Sequence, residues 1–219
     1  MVPVNKIDKC RDCGETKIIH SKRRCFECAK SKKLAKEHRF QDFVEFLRNH
    51  KSDVFIETGT FGGGGVLAAN ACGFREIHSI ELADLLFNIS RRAINREVGH
   101  KPYIHLYHGD SGELIGPIIK KIPKSKSITF WLDAHYGGKD TVKTRREGEK
   151  AEISPLKREL ESILSCGRLC NDIVLVDNVK HLSTFGYTFE SLCEHLLKIN
   201  KNFEITVVGK TVVAVPKKV

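Results

Sequence analysis

The sequence predicts an α/β fold: a doubly wound, seven-stranded, mostly parallel sheet closed by an antiparallel C-terminal hairpin, with a small zinc-binding module in front. Three observations predict it. From Val54 onward, apolar strand-like runs alternate with helix-length amphipathic segments. The first run ends in a carboxylate and a glycine-dense turn, Glu57-Thr-Gly-Thr-Phe-Gly-Gly-Gly-Gly65. Ahead of it, two Cys-x-x-Cys pairs stand 11 residues apart.

Those pairs are Cys10/Cys13 and Cys25/Cys28. Each pair lets two thiolates face one ion, and two pairs complete a tetrahedral site of the structural zinc type. The stretch between them, Glu15 to Arg24, suits a small hairpin. A piece of this size has no apolar core of its own, so the metal would supply its folding energy. Residues 1–39 carry 12 Lys+Arg against 5 Asp+Glu, out of a net charge of +10 for the whole chain. The basicity therefore belongs mainly to this module. Phosphate contact with a nucleic acid is one use of it. A solvated stabilising or oligomerising knob is the other, because Phe26 is the one aromatic residue there for stacking. The module resembles short zinc ribbons at the front of many viral and microbial proteins.

Ser31 to His50 reads as a helix. Leu34, Phe40, Phe43, Val44 and Leu47 recur at three- and four-residue steps. The composition changes near residue 35, which predicts a zinc-ribbon-like module over 1–35 and a second domain over 36–219. In that domain the strands are predicted at 54–57, 76–80, 103–107, 127–132, 172–176, 203–208 and 211–215. The helices are predicted at 63–72, 83–97, 111–121, 152–165 and 188–199. The last two strands are joined by Gly209-Lys210, the signature of a hairpin.

The bulk properties exclude some classes. No apolar run approaches the ~20 residues that span a bilayer. MVPVNKIDKC has no apolar signal-peptide core. A cytoplasmic, soluble protein is expected, with no membrane partner. In that setting eight cysteines point to metal or burial before disulfides. Cys72, Cys166, Cys170 and Cys193 read as buried or half-buried thiols.

The turn at Gly59 to Gly65 suits a nucleotide cofactor, because backbone without side chains can approach a ligand and the next helix offers free N–H groups. Taken with Glu81 at the end of the second strand, Asp110-Ser111 after the third and the terminal hairpin, it resembles the class I S-adenosylmethionine-dependent methyltransferases over roughly residues 40–219. The resemblance implies a cofactor set of Glu57, Gly59, Thr60, Phe61, Gly62, Gly63, Glu81, Asp110, Ser111 and Asp133. Glu57 would lie near the methionine moiety, Glu81 would take the ribose diol, and Asp110-Ser111 would sit at adenine. A nicotinamide dinucleotide is the competing ligand, since Gly63-x-Gly65-x-x-Ala68 matches a loose fingerprint. That match falls inside the predicted helix, Glu57 would oppose a pyrophosphate, and no length remains for a substrate domain.

Two further strand ends carry the chemistry. Ile128-Thr-Phe-Trp-Leu-Asp133-Ala-His135 delivers a carboxylate and an imidazole, with Lys139 six residues beyond the Asp. Ile173-Val-Leu-Val-Asp177-Asn178 delivers a carboxylate and an amide. Asp133, Asp177 and Asn178 offer oxygen ligands that suit Mg²⁺ or a similar hard cation. This pattern resembles the metal-dependent O-methyltransferases of the catechol and macrolide-sugar types. It implies a metal that lowers a hydroxyl pKa, with His135 or Lys139 taking the proton. Asp133, Asp177 and Asn178 equally suit loop capping, and His135 a structural hydrogen bond. The long polar segment from Gly137 to Ser154 reads as a lid. Its Lys143, Arg145 and Arg146 would grip an anion or stay solvated.

The expectation is an S-adenosylmethionine-dependent O-methyltransferase acting on a hydroxylated small molecule, a sugar or glycan. A nucleic-acid methyltransferase gripping its substrate through the zinc module is the second reading. A non-catalytic binding module is the third.

Overall fold

The computed structural model describes residues 6–9, 16–21, 24–136, 153–168 and 171–217, with side chains from residue 36 onward. The backbone divides into two units, Met1–Phe46 and Leu47–Val219. The division falls within one helix, and the composition change near residue 35 lies earlier in that same helix.

In the first unit, β1 (Lys6–Lys9), β2 (Thr16–Ser21) and β3 (Arg24–Cys25) form an antiparallel sheet in that order. β2 and β3 are the hairpin expected between the cysteine pairs. Helix α1 (Phe26–Asn49) begins directly after β3, five residues ahead of the predicted Ser31. Cys10 and Cys13 lie outside the described residues. Cys25 and Cys28 are described in backbone only, so the zinc ligand set lies outside what the structure describes.

The second unit is the α/β domain. Its strands are β4 (Val54–Thr58), β5 (Glu76–Glu81), β6 (Ile104–His108), β7 (Ile128–Leu132), β8 (Ile173–Val176), β9 (Phe203–Val208) and β10 (Thr211–Pro216). Between them lie α2 (Gly64–Ala71), α3 (Asp84–Val98), α4 (Ser111–Lys121), α5 (Leu156–Ser165) and α6 (Phe189–Ile199). The sheet order is β6-β5-β4-β7-β8-β10-β9. β4, β5, β6, β7 and β8 pair in parallel. β10 is antiparallel to both β8 and β9.

The central strands are continuous apolar runs because both faces are covered. Val54, Phe55, Ile56, Ile128 and Phe130 are fully buried. On one face, Ile115, Ile119, Leu160, Leu192 and Leu196 from α4, α5 and α6 pack on Ile56, Phe130, Val174 and Val212. Four predicted helices start later than expected. α2, α3 and α6 do so by one residue, α2 at Gly64 because Gly63 takes a left-handed conformation as its cap. α5 starts at Leu156 rather than 152, after Pro155. A 3₁₀ segment, Val179–Phe185, adds an element that the periodicity does not mark.

The chain leaves β4 toward β5 on one side and later returns to β7 on the other. The crevice above β4 and β7 is thus the topological switch point, where open α/β sheets bind ligands at strand carboxyl ends. Glu57, Gly59, Asp133 and Asp177 all lie at those ends.

Candidate active site

The floor of the crevice is the turn after β4. Backbone N–H groups of Gly59 and Thr60 donate to the Ile80 carbonyl at 2.9 and 3.3 Å, tying the turn to β5. Gly59 has φ +84°, and a Cβ there would stand 3.0 Å from the Asp133 carbonyl. Only glycine lets β4 and the loop after β7 approach this closely. Phe61 also has positive φ, at 48°, which is uncommon for a bulky residue. Its N–H donates to Glu81 Oε2 at 2.8 Å, which holds the strained turn in place. Gly62 and Gly64 have open space where a Cβ would point, so the turn leaves its outer side clear for a ligand.

Glu57 lies beneath this turn, buried at 3 % exposure. Ser79 Oγ donates to its Oε2 at 2.6 Å, and Thr60 Oγ1 joins Ser79 Oγ at 2.6 Å. Burial pushes the Glu57 carboxyl up to about 8; Ser79 opposes the rise, while Asp133 and Glu81 add to it. The carboxyl can sit there because residue 65 is glycine. A Cβ on Gly65 would stand 1.6 Å from Glu57 Oε1. Glu81 Oε1 accepts from the Ala83 N–H at 2.9 Å, so Glu81 clamps both the turn and the start of α3.

The pair after β6 has partners within the chain. Asp110 caps α4, accepting from the Gly112 N–H at 2.9 Å, and pairs with Arg158 at 3.0 Å. Ser111 is buried and donates to Glu159 Oε1 at 2.5 Å. Both side chains thus brace α4 against α5. Glu159 carries no signal in the sequence, because it lies on an amphipathic helix beside Leu160. Burial pushes its carboxyl up to about 7, against the hydroxyls of Ser111 and Thr58.

Asp133 and His135 follow β7. His135 Nδ1 lies 2.9 Å from the Asp133 carbonyl oxygen and 3.5 Å from its Oδ1. Donation from Nδ1–H leaves Nε2 as the basic nitrogen. Burial raises the Asp133 carboxyl, and the Asp177 charge adds to it. The hydrogen bond to Asp133 raises the His135 pKa above its ordinary value against the effect of burial. The Phe185 ring stands 5.5 Å from the His135 ring. Leu132, Asp133, His135, Glu159, Asp177 and Phe185 line one narrow cavity. Lys139 lies outside the described residues, as do Lys143, Arg145 and Arg146.

The three oxygen-bearing residues at strands β7 and β8 come together, each engaged in hydrogen bonds within the chain. Asn178 Nδ2 donates to Asp133 Oδ1 at 2.8 Å. Asp177 is buried, and both its oxygens are engaged: Lys210 Nζ donates to Oδ2 at 2.5 Å and Thr211 Oγ1 to Oδ1 at 2.9 Å. The hairpin between β9 and β10 thus places an ammonium where a divalent ion would bring its charge. Mg²⁺ takes one or two carboxylates and keeps several waters, so an ion at Asp133, Asp177 and Asn178 would compete with these hydrogen bonds and with the Lys210 charge. Nothing in the sequence marks Lys210, because its partner is 33 residues away and its own neighbourhood reads only as a turn.

No family model and no curated protein sequence matches the chain. Solved structures do. The SAH-bound Podospora anserina methyltransferase PaMTH1 superposes with a TM-score of 0.56 at 17% identity, covering 82% of this chain and 78% of that one. The O-methyltransferase TomG from Streptomyces achromogenes, involved in tomaymycin synthesis and solved with SAM, gives 0.55 at 15%, covering 82% and 80%. An O-methyltransferase from Bacillus cereus in complex with SAH gives 0.55 at 14%, covering 82% and 81%. At these identities the likeness is one of fold: the α/β domain of this chain has the class I methyltransferase fold, with its antiparallel C-terminal hairpin.

Proposed function

We propose that the chain is an S-adenosylmethionine-dependent O-methyltransferase acting on a hydroxylated small molecule, of the sugar or glycan class, without a divalent metal. The observation that carries the reading is the turn after β4. It is clear on its outer side, bound to Glu81 from above and underlain by Glu57. The residues present fit the cofactor. A buried carboxyl with a raised pKa ionises readily only when a cation arrives, and the methyl donor carries positive charge at its sulfonium and its ammonium. When bound, the donor supplies an electrophilic methyl group.

The remaining work falls to residues of the chain. Asp133 lines the cavity that His135 also lines, and Asn178 Nδ2 holds the Asp133 Oδ1. His135 Nε2 takes the proton of an acceptor hydroxyl, a role for which a pKa near the working pH is favourable. Asp133 orients the imidazole and stabilises its protonated form. Phe185 gives the acceptor an apolar wall. Lys210 neutralises Asp177, so that negative charge does not oppose the alkoxide. Holding hydroxyl and methyl in line supplies much of the acceleration.

The test is transfer of labelled methyl from S-adenosylmethionine to a panel of sugars and phenols, in buffer with EDTA. Transfer to a hydroxyl, lost in His135→Ala with cofactor affinity kept, supports the reading. Failure to bind the cofactor by calorimetry sinks it. The second reading, a nucleic-acid acceptor, rests on the 12 basic against 5 acidic residues of the first 39. Salt-sensitive RNA or DNA methylation that disappears on neutralising those lysines would favour it.

A further inference from the structure

At the far end of the sheet from the crevice, the starts of β5 and β6 carry a cluster that the methyl-transfer reading does not use. Glu76 and His78 lie on one face of β5, two residues apart. His105 pairs directly with His78 in the parallel register, and the two rings stack at 4.9 Å. One ligand atom from each of Glu76, His78 and His105 lies within 4.8 Å of the other two. His78 Nε2 is 3.0 Å from Glu76 Oε1. Tetrahedral zinc with bonds of ~2.0–2.1 Å separates its ligand atoms by about 3.3 Å, so small side-chain rotations close the set. His78 Nδ1 meets the Tyr107 hydroxyl at 3.0 Å. An outer partner of this kind fixes the tautomer and aims the other nitrogen at a metal. Glu76 Oε2 is held by Lys126 Nζ at 2.7 Å, and Oε1 faces His78 Nε2, where an ion would replace the proton shared between them.

We propose that Glu76, His78 and His105 form a zinc site that staples the edge strand β6 to β5, with the fourth position open to water. Glu81, at the other end of β5, is about 16 Å away at strand rise, so the site is separate from methyl transfer. Lys126 is the counterweight: its charge opposes a dication, and its removal strengthens binding.

The test uses the full chain, with zinc counted by a chromophoric chelator after dialysis. The cysteine pairs contribute equally to every variant, so the difference between variants reports this site. His105→Ala and Glu76→Gln each lose one zinc equivalent relative to the unsubstituted chain. Tyr107→Phe weakens the same equivalent about 10-fold. Lys126→Ala tightens it several-fold, a gain that misfolding cannot produce. Cobalt substitution of this equivalent gives visible bands without the thiolate charge-transfer absorption of a cysteine site. An unchanged zinc count in His105→Ala, or no tightening in Lys126→Ala, overturns the assignment.

Discussion

Replacing Glu57 by Gln changes how the stability of the protein depends on pH. The folded-state pKa of Glu57 is about 8 against an ordinary value of 4.5. A raised carboxyl pKa means that the folded state holds a proton the unfolded state has released. Stability therefore falls as pH rises from 4.5 and levels off above about 8. A tenfold difference in proton affinity between the two states corresponds to about 1.4 kcal/mol, so the loss between pH 5 and pH 8 is about 3–4 kcal/mol. Glutamine keeps the shape and accepts the Ser79 hydrogen bond without ionising. Urea unfolding of both proteins at pH 5, 6, 7 and 8 isolates the Glu57 contribution, because Glu159 titrates alike in each. The Gln variant should gain about 3–4 kcal/mol on the parent across that range. Parallel lines, or a relative gain under about 1 kcal/mol, would show that Glu57 ionises freely beneath the turn. Calorimetric binding of S-adenosylmethionine at pH 7 in two buffers of different ionisation enthalpy adds a second readout: release of close to one proton by the parent and none by the variant.

Gly65→Ala places a methyl 1.6 Å from Glu57 Oε1; we expect about 1–3 kcal/mol of destabilisation in urea, and loss of cofactor binding. The rate of methyl transfer should rise with pH on a limb whose apparent pKa lies above 6.5, because His135 acts as the neutral base and Asp133 raises its pKa; a limb below 6.5 counts against that pairing. EDTA should leave the rate unchanged, whereas Lys210→Ala, which strands the buried Asp177 carboxylate, should lower it; full inhibition by EDTA would restore the metal. Asp172→Ala should cost about 3–5 kcal/mol in urea unfolding, since it leaves Arg168 charged and buried at the foot of β7 and β8; a cost under about 1 kcal/mol would show that Arg168 finds water.

The alternation of strands and helices was legible because each central strand is buried on both faces and is written as an unbroken apolar run. The hairpin was legible in Gly209-Lys210 between two β-branched stretches. The carboxylates at strand ends were legible for the same reason, since a polar residue closing an apolar run marks the point where the chain meets solvent or ligand. Partners were not legible. Glu159 reads as an exposed helical charge, yet it is 1 % exposed and bonded to Ser111 across 48 residues. Asp177 reads as a strand-end carboxylate, and nothing in the sequence marks Lys210 and Thr211 as its partners. His78 and His105 read as ordinary strand residues, and only the parallel register of β5 and β6 stacks their rings. Composition and periodicity report which residues are inside; they carry no record of which inside residues meet.

The place of β10 has a consequence for how the domain is made. It lies between β8 and β9, hydrogen-bonded on both sides, although it follows both in the chain. During synthesis β4 to β8 emerge with one interior edge unfilled, and the Asp177 carboxylate has no counter-charge. Only when residues 210–216 emerge can the strand slot in, bringing Lys210 and Thr211 to that carboxylate together. Long-range pairing of this kind is slow to form. The site and the sheet are therefore completed in one late step, and an interrupted chain would expose an open strand edge to aggregation instead of retaining partial activity.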